Sequence, residues 1–312
     1  MIPSRADVTL FLLAALKLLA CNDSVSAFGS YKSFIRRKTG GMVRMASTKN
    51  DGDVTTSSST KRIVWIRHGQ TYMNELIGGG GISYGQPGFT DVFDDKSIHL
   101  YRDSPLSPTG VQQALNLKKR LKSDGSNTSD LPLHEVDLVA VSPLTRAIQT
   151  VQLALLDHLE EYKVPIVGLP QATERVYLIS DHGKSRAELQ QQYEFVDFET
   201  HFDVADPWHF VPTQEQITNY VEWRPHRQGQ VYACLGEPQD VFDQRMSRLH
   251  HWLGTREERC IAVVCHAGVI EWMTSGEILA NCEVLVKEFD ELRPRNLCSV
   301  EQSALSEKAN TF

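Results

Sequence analysis

Residues 61–71 read KRIVWIRHGQT, and this stretch decides the fold. Its four successive apolar residues, Ile63–Ile66, are preceded by charge and followed by an arginine, a histidine and a glycine, a pattern typical of a strand buried on both faces of a parallel sheet. Such a strand carries Arg67 and His68 to its carboxyl end, where Gly69 permits a tight turn. In open α/β sheets, ligands bind at that edge. The stretch therefore predicts both a fold class and the position of a site.

A second segment repeats this design far downstream, since residues 260–268 read CIAVVCHAG and again place a histidine after a buried strand. Alternation of strands and helices along the chain predicts a doubly wound α/β fold with a mostly parallel sheet sandwiched by helices. The other predicted strands are 136–141, 164–169 and 283–288, the last at an edge, and the predicted helices are 107–123, 144–160, 240–254 and 269–280.

The first sixty residues differ from the rest in composition. Residues 8–20 (VTLFLLAALKLLA) have the length of a signal-peptide apolar core, and 28–50 contain six basic residues and no acidic one. This order resembles the bipartite plastid presequences of algae with complex plastids. We therefore expect a signal peptide over 1–27, a transit peptide and disordered linker over 28–60, and a plastid location. Secretion with a basic propeptide is the alternative.

The body of the chain is acidic. The leader 1–50 carries a net charge of +6 within a total of −7, so residues 51–312 carry −13. Such a charge argues against nucleic acid or an anionic membrane as partner, whereas a small anionic substrate needs only local arginines. No stable membrane insertion is expected after processing. The six cysteines form no CxxC pair and are predicted to be buried thiols.

Candidate chemical groups collect at the predicted carboxyl edge of the sheet. Arg67 and His68 follow the first strand, His266 follows the 260–265 strand, and Glu174 comes just after the 164–169 strand. Asp181 and Glu188 are the alternatives to Glu174 as the acidic group. Because parallel strands end at one edge, these side chains are expected to meet there.

Arg146 joins this group through a predicted helix start. Ser142 is expected to be the N-cap and Pro143 the first helical residue, which puts Arg146 in the first turn. A helix N-terminus offers free N–H groups to an anion, and an arginine there adds a bidentate fork.

These residue types suit phosphoryl transfer. Two arginines can hold a phosphoryl group and neutralise its oxygens. A neutral imidazole can attack phosphorus while its other nitrogen bonds a backbone carbonyl, and a second histidine can donate hydrogen bonds to the transferring group. A carboxylic acid can protonate the departing alkoxide and later activate water. The arginines supply the positive charge, so no metal and no cofactor are predicted.

Four ordered motifs carry a resemblance to a known family. RHGQT at 67–71 with Asn74, LSPTG at 106–110, SPLTRAIQT at 142–150 and HAG at 266–268 resemble the histidine phosphatase superfamily, also called phosphoglycerate mutase-like, over residues 61–292. The segments Glu174 to Trp208 and Asn281 to Glu283 look more like the plant and algal branch of mutase-like phosphatases. Residues 61–292 are thus the expected catalytic domain, with a helical or irregular lid at 176–232 and a flexible tail at 293–312.

The resemblance implies a role for each motif residue. His68 is the implied phosphohistidine nucleophile and Glu174 the proton donor, while Arg67, Arg146 and His266 form the phosphate pocket. Further substrate contacts are implied for Gln70, Thr71, Asn74 and Ala267.

The expected activity is hydrolysis of small phosphorylated metabolites. The sequence reads Glu174-Arg175-Val176-Tyr177-Leu178 where phosphoglycerate mutases have a Glu-Arg-His-Tyr-Gly type of stretch, which disfavours mutase activity. A mutase, and a catalytically weak binding or regulatory module, are the alternatives. The sequence makes no prediction of oligomeric state.

Overall fold

The structure, a computed structural model, describes most of the predicted catalytic domain. The predicted signal peptide, transit peptide and tail lie outside the described residues, as do residues 203–204 and 212–232 of the predicted lid. The described residues are 60–78, 98–122, 133–202, 205–211 and 236–292.

The described part of the chain contains a five-stranded sheet formed by β1 (Arg62–Arg67), β2 (Leu138–Val141), β3 (Ile166–Gly168), β4 (Cys260–Cys265) and β5 (Val284–Glu288). The strand order is β3-β2-β4-β1-β5. β1 pairs in parallel with β4, which pairs in parallel with β2, and β2 pairs in parallel with β3. The last strand lies at the edge, as the sequence predicts, and is antiparallel to β1.

Helices lie on both faces of this sheet, which confirms the predicted α/β fold. Along β1, Val64 and Ile66 pack into one core and Ile63 and Trp65 into the other, because successive side chains point to opposite faces. The helices are α1 (Tyr72–Gly78), α2 (Ile98–Tyr101), α3 (Pro108–Lys122), α4 (Thr145–Ala154), α5 (Leu156–Tyr162), α6 (Arg186–Gln192), α7 (Gln239–Thr255) and α8 (Ala267–Met273).

Each face has its own helices. The α3 and α4 side chains Leu117 and Ile148 pack into the core that contains Val64. The α7 and α8 side chains Met246 and Ile270 pack into the core on the opposite face. Burial of apolar surface on both faces stabilises the central strands at about 25 cal/mol per Å². The sheet is thereby fixed as a rigid platform for the groups at its carboxyl edge.

Two helix predictions need correction. The predicted helix 144–160 is divided at Leu155 into α4 and α5, and the predicted helix 269–280 ends at Met273. Ser142 is not the N-cap, since α4 begins only at Thr145. The backbone N–H of Thr145 donates instead to the Asp103 carboxylate (2.9 Å), a partner that sequence spacing cannot reveal.

The described part of the predicted lid contains short helical turns. A 3₁₀ turn covers Ile179–Asp181, and α6 begins at a capping box formed by Ser185 and Glu188. The indole N–H of buried Trp208 donates to the Lys184 carbonyl oxygen (2.8 Å). Among the helices of the described residues, none has both the length and the apolar content needed to span a bilayer.

Candidate active site

His68 lies at the carboxyl end of β1 with its tautomer set by the backbone. Its Nδ1 lies 2.7 Å from the carbonyl oxygen of Gly69, so Nδ1 carries the proton and Nε2 keeps its lone pair. The loop is held by the Gly69 N–H, which donates to the Thr150 hydroxyl (3.0 Å), and by the Asn281 amide, which donates to the His68 carbonyl (2.9 Å). Burial, reinforced by the charge of Arg146, lowers the pKa of His68 well below its ordinary value. The ring is therefore neutral.

His266, at the end of β4, faces His68 with ring centroids 5.0 Å apart. Both nitrogens of its fully buried ring have protein partners. The Arg146 Nε–H donates to Nδ1 (3.3 Å), so Nε2 carries the proton and donates to the Ser142 hydroxyl (2.7 Å). Ser142 thus orients a histidine instead of capping a helix. The predicted hydrogen bond from His266 to a phosphoryl group stays a prediction.

Arg146 is buried in the first turn of α4, as the sequence predicts. Its guanidinium donates to the carbonyl oxygen of Ser180 (2.6 Å) and to the carboxylate of Asp181 (2.9 Å). The second oxygen of Asp181 accepts from the backbone N–H groups of Tyr177 (3.1 Å) and Leu178 (3.0 Å). Asp181 therefore serves as the counter-ion and orienting group of Arg146.

Arg67 is the last residue of β1 and directly precedes His68. Its Nη1 donates to the carbonyl oxygen of Leu279 (2.6 Å), and its buried Nε has no hydrogen-bond partner among the described residues. Arg67 and Arg146 line the same cavity as His68.

Glu174 lies in that cavity as well, with its carboxylate fixed by two backbone groups. Oε1 accepts from its neighbour Arg175 (3.0 Å) and Oε2 from the N–H of Gly268 at the start of α8 (3.2 Å). Burial, and then the nearby charge of Asp181, raise the pKa of Glu174. A raised pKa favours the protonated form that a general acid requires. The other two carboxylates are committed elsewhere, Asp181 to Arg146 and Glu188 to the α6 capping box.

The four remaining predicted contacts divide into two kinds. Thr71, Asn74 and Ala267 line the cavity. Thr71 and Asn74 also bond each other reciprocally (3.0 and 3.1 Å) and so fix the start of α1. The structure does not bring the Gln70 side chain to the cavity, because its Oε1 accepts from the Ser107 hydroxyl (3.2 Å). Gln70 therefore fastens the His68 loop to the start of α3.

The cavity has a volume of about 670 Å³ and continues outward from these groups. Within the described residues there is no group of three or more His, Cys, Asp or Glu side chains arranged to hold a metal ion. Beyond the predicted residues, the outer walls consist mainly of side chains from α1, the loop after Glu174, α7 and α8: Met73, Ile77, Arg175, Tyr177, Leu178, Gln239, Phe242, Glu271 and Trp272.

Three groups that shape the site have no motif or periodic signal in the sequence. Arg245 and Glu237 bond each other and the backbone around Glu174, although neither belongs to a motif. A buried glutamate is rare without a partner, and the apolar spacing of α7 reveals only its core-facing positions. The third group, Asp103, is a turn residue that caps α4 from a distant part of the chain.

Comparison with known proteins gives a family match over part of the chain. Residues 63–208 match the family model described as the histidine phosphatase superfamily (branch 1). A curated relative named "Probable phosphatase", from Schizosaccharomyces pombe, is 25% identical over 138 residues, which are 44% of this chain and 52% of the relative. The chain thus spans about half the length of that relative.

Two solved structures are also similar to the chain. One is a phosphoglycerate mutase from Thermus thermophilus, with 16% identity, a TM-score of 0.37, and coverage of 75% of this chain and 97% of that one. The other is mycobacterial hydrolase 1, with 16% identity, a TM-score of 0.38, and coverage of 76% and 96%.

The matched residues contain the RHG motif and the segment that carries Arg146, while His266 lies beyond them and meets these groups through the pairing of β4 with β1. Residues 63–208 of this chain are thus similar to the histidine phosphatase superfamily (branch 1).

Proposed function

We propose that the protein is a metal-independent phosphomonoester hydrolase that acts on small phosphorylated metabolites through a phosphohistidine intermediate. The observation that carries this proposal is the state of His68. Its ring is neutral, its Nδ1 proton is held by the Gly69 carbonyl, and Nε2 remains available beside two arginines. A nucleophile of this kind needs no further base to activate it.

In the first step, Nε2 of His68 attacks phosphorus and the bond to the leaving oxygen breaks. Arg67 and Arg146 neutralise the charge on the equatorial oxygens, which is the main electrostatic demand of phosphoryl transfer. The protonated carboxyl of Glu174 gives its proton to the departing alkoxide. The alcohol leaves, and the phosphoryl group stays on the imidazole.

In the second step, the Glu174 carboxylate takes a proton from a water molecule that attacks the phosphohistidine. The bond between Nε2 and phosphorus breaks, inorganic phosphate leaves, and both His68 and Glu174 return to their starting states. The positive charge comes from the arginines throughout, so a metal ion has no required role.

The experiment that tests this proposal combines turnover with trapping. The full chain is assayed on p-nitrophenyl phosphate, and ³²P-labelled substrate is used to trap an acid-labile phosphoenzyme. We expect turnover in the wild type, and loss of both turnover and label in His68→Ala. Transfer to a second phosphoglycerate that depends on a bisphosphorylated primer would indicate a mutase. An absence of label and turnover across a panel of phosphoesters would indicate a binding module.

We also propose a plastid location, supported by the order of the apolar segment and the basic segment in the first fifty residues. A fluorescent protein fused to the carboxyl end of the full chain should accumulate in plastids. Its appearance in the medium would contradict this location and favour secretion.

A further inference from the structure

Arg245, on α7, holds the backbone on which Glu174 is placed. Nη1 donates to the carbonyl oxygens of Gln171 (3.0 Å) and Thr173 (2.7 Å), and Nη2 donates to that of Glu174 (3.2 Å). The two remaining N–H groups go to the carboxylate of Glu237, at 3.0 and 2.6 Å. All five donors of this guanidinium are therefore used, and three of them bond the segment that ends at Glu174.

Glu237 holds the residues that directly follow Glu174. Its carboxylate accepts from the N–H of Val176 (3.3 Å), and its own N–H donates to the Val176 carbonyl (2.7 Å). The Glu237 carbonyl oxygen accepts from Nε of Arg175 (2.8 Å). Glu237 is 1% exposed and lies outside the cavity lining, so its effect on the cavity passes through this backbone.

We infer that Arg245 and Glu237 are a positioning pair that fixes the carboxyl of Glu174 at the point of proton transfer. The inference rests on the proposed role of Glu174 as general acid. The pair bonds residues 171 to 176, on both sides of Glu174. Within the described part of the chain, the Glu174 carboxylate itself bonds only backbone N–H groups. Its position therefore depends on how firmly that backbone is held.

The chemistry of the pair favours positioning over simple stabilisation. A buried ion pair is weak support for stability, because desolvation of both charges offsets their attraction. The planar guanidinium of arginine, in contrast, has five N–H donors in fixed directions. It can hold three carbonyl oxygens and one carboxylate at once, which the ammonium of lysine cannot reproduce. A displacement of about 1 Å in a reacting group can cost roughly 100-fold in rate.

The test compares two aryl esters of similar shape in the full chain. The p-nitrophenolate leaving group departs without a proton, whereas phenolate needs one, and kcat/KM reports the step in which the leaving group departs. We expect Arg245→Lys to lower kcat/KM on phenyl phosphate by about 10-fold or more. A positioned acid contributes roughly 100-fold or more to the rate, and the substitution should lose part of that contribution. On p-nitrophenyl phosphate the loss of kcat/KM should stay below about 3-fold, because this leaving group needs no proton.

Three further variants make the result specific. Arg245→Lys in the Glu174→Gln background should cause no additional loss on phenyl phosphate, because the acid that it positions is gone. Glu237→Gln should show the same dependence on the leaving group. Arg256→Lys is the matched control. The Arg256 guanidinium donates two hydrogen bonds to the carboxylate of Glu258 (2.9 and 2.6 Å), and this pair lies away from the cavity. The substitution should therefore leave the ratio of the two rates unchanged.

Three outcomes would overturn the inference and leave the pair a purely structural feature. They are equal losses of kcat/KM on both esters, additive losses in the double variant, and unfolding of both Arg245→Lys and Glu237→Gln. These outcomes differ from failure of the proposed function, in which the wild type itself forms no phosphoenzyme.

Discussion

At the scale of single residues, the site works through fixed hydrogen bonds more than through exposed charge. His68 is oriented by one carbonyl oxygen, and Glu174 by two N–H groups. Such groups are sensitive to small displacements, which makes their neighbours useful probes.

Gly268 is one such neighbour, because a Cβ at this position would lie 2.4 Å from Oε1 of Glu174. We expect Gly268→Ala to displace the carboxylate and to lower kcat/KM on phenyl phosphate by about 10-fold or more, the scale of a mispositioned acid. Steady-state kinetics on both aryl esters measures this. A variant with the wild-type rate on phenyl phosphate would remove Glu174 from proton transfer.

Arg146 combines a proposed catalytic role with a structural one. Arg146→Ala removes the proposed phosphate contact and also leaves the buried Asp181 carboxylate without its counter-ion. We expect a loss of activity together with a fall of about 3–5 kcal/mol in the free energy of unfolding, the range for breaking a buried pair from one side. Urea denaturation followed by circular dichroism measures the stability. Arg146→Ala/Asp181→Asn should recover part of the stability and none of the activity.

At the scale of elements, the carboxyl edge depends on how α3 meets the His68 loop. The Ser107 N–H donates to the Gln70 carbonyl (2.9 Å), and the Ser107 hydroxyl accepts from the N–H of Gly110 (3.2 Å) at the start of the helix. A Cβ at Gly110 would lie 1.9 Å from the Gln70 carbonyl oxygen. The helix can approach the loop only because this residue has no side chain.

We therefore expect Gly110→Ala to push α3 and the His68 loop apart, with a fall of about 1–3 kcal/mol in the free energy of unfolding, the cost of overpacking. Phosphoenzyme formation should slow as well, because His68 moves with the loop. Gly78→Ala is the matched control, since a Cβ there meets no atom of the described residues within 4 Å. Equal unfolding midpoints for the two variants would show that the helix and loop separate without cost.

At the scale of the whole molecule, the buried titratable groups link stability to pH. Burial lowers the pKa of His68 and of His266 well below 6.5 in the folded protein. The unfolded chain binds these protons and the folded protein does not, so stability falls as the pH drops below about 6.5. Asp103 acts in the opposite sense, because burial raises its folded pKa to about 6 from 3.8, so it favours folding as the pH falls through that interval.

We expect the two histidines to dominate between about pH 6.5 and 5, since each can contribute up to about 1.4 kcal/mol per pH unit. The free energy of unfolding in urea should fall over this interval in the wild type. His266→Asn should flatten the dependence, and Asp103→Asn should steepen it. A wild-type curve that rises as the pH falls would show that the carboxyl groups outweigh the histidines.

The sequence by itself determined the strands that end in His68 and His266, the edge strand β5, and the presence of Arg146 and Glu174 at one carboxyl edge. These features follow from runs of apolar residues and from the rule that parallel strands end together, both of which are local or topological. The family motifs added the roles proposed for those residues.

Only the tertiary structure decided that Ser142 orients His266, that Asp181 pairs with Arg146, that Gln70 turns away from the cavity, and that Arg245 with Glu237 holds the backbone of Glu174. Each of these contacts joins side chains to groups on other elements. Hydrogen-bond partners of that kind are selected by packing in three dimensions, which leaves no periodic signal along the chain.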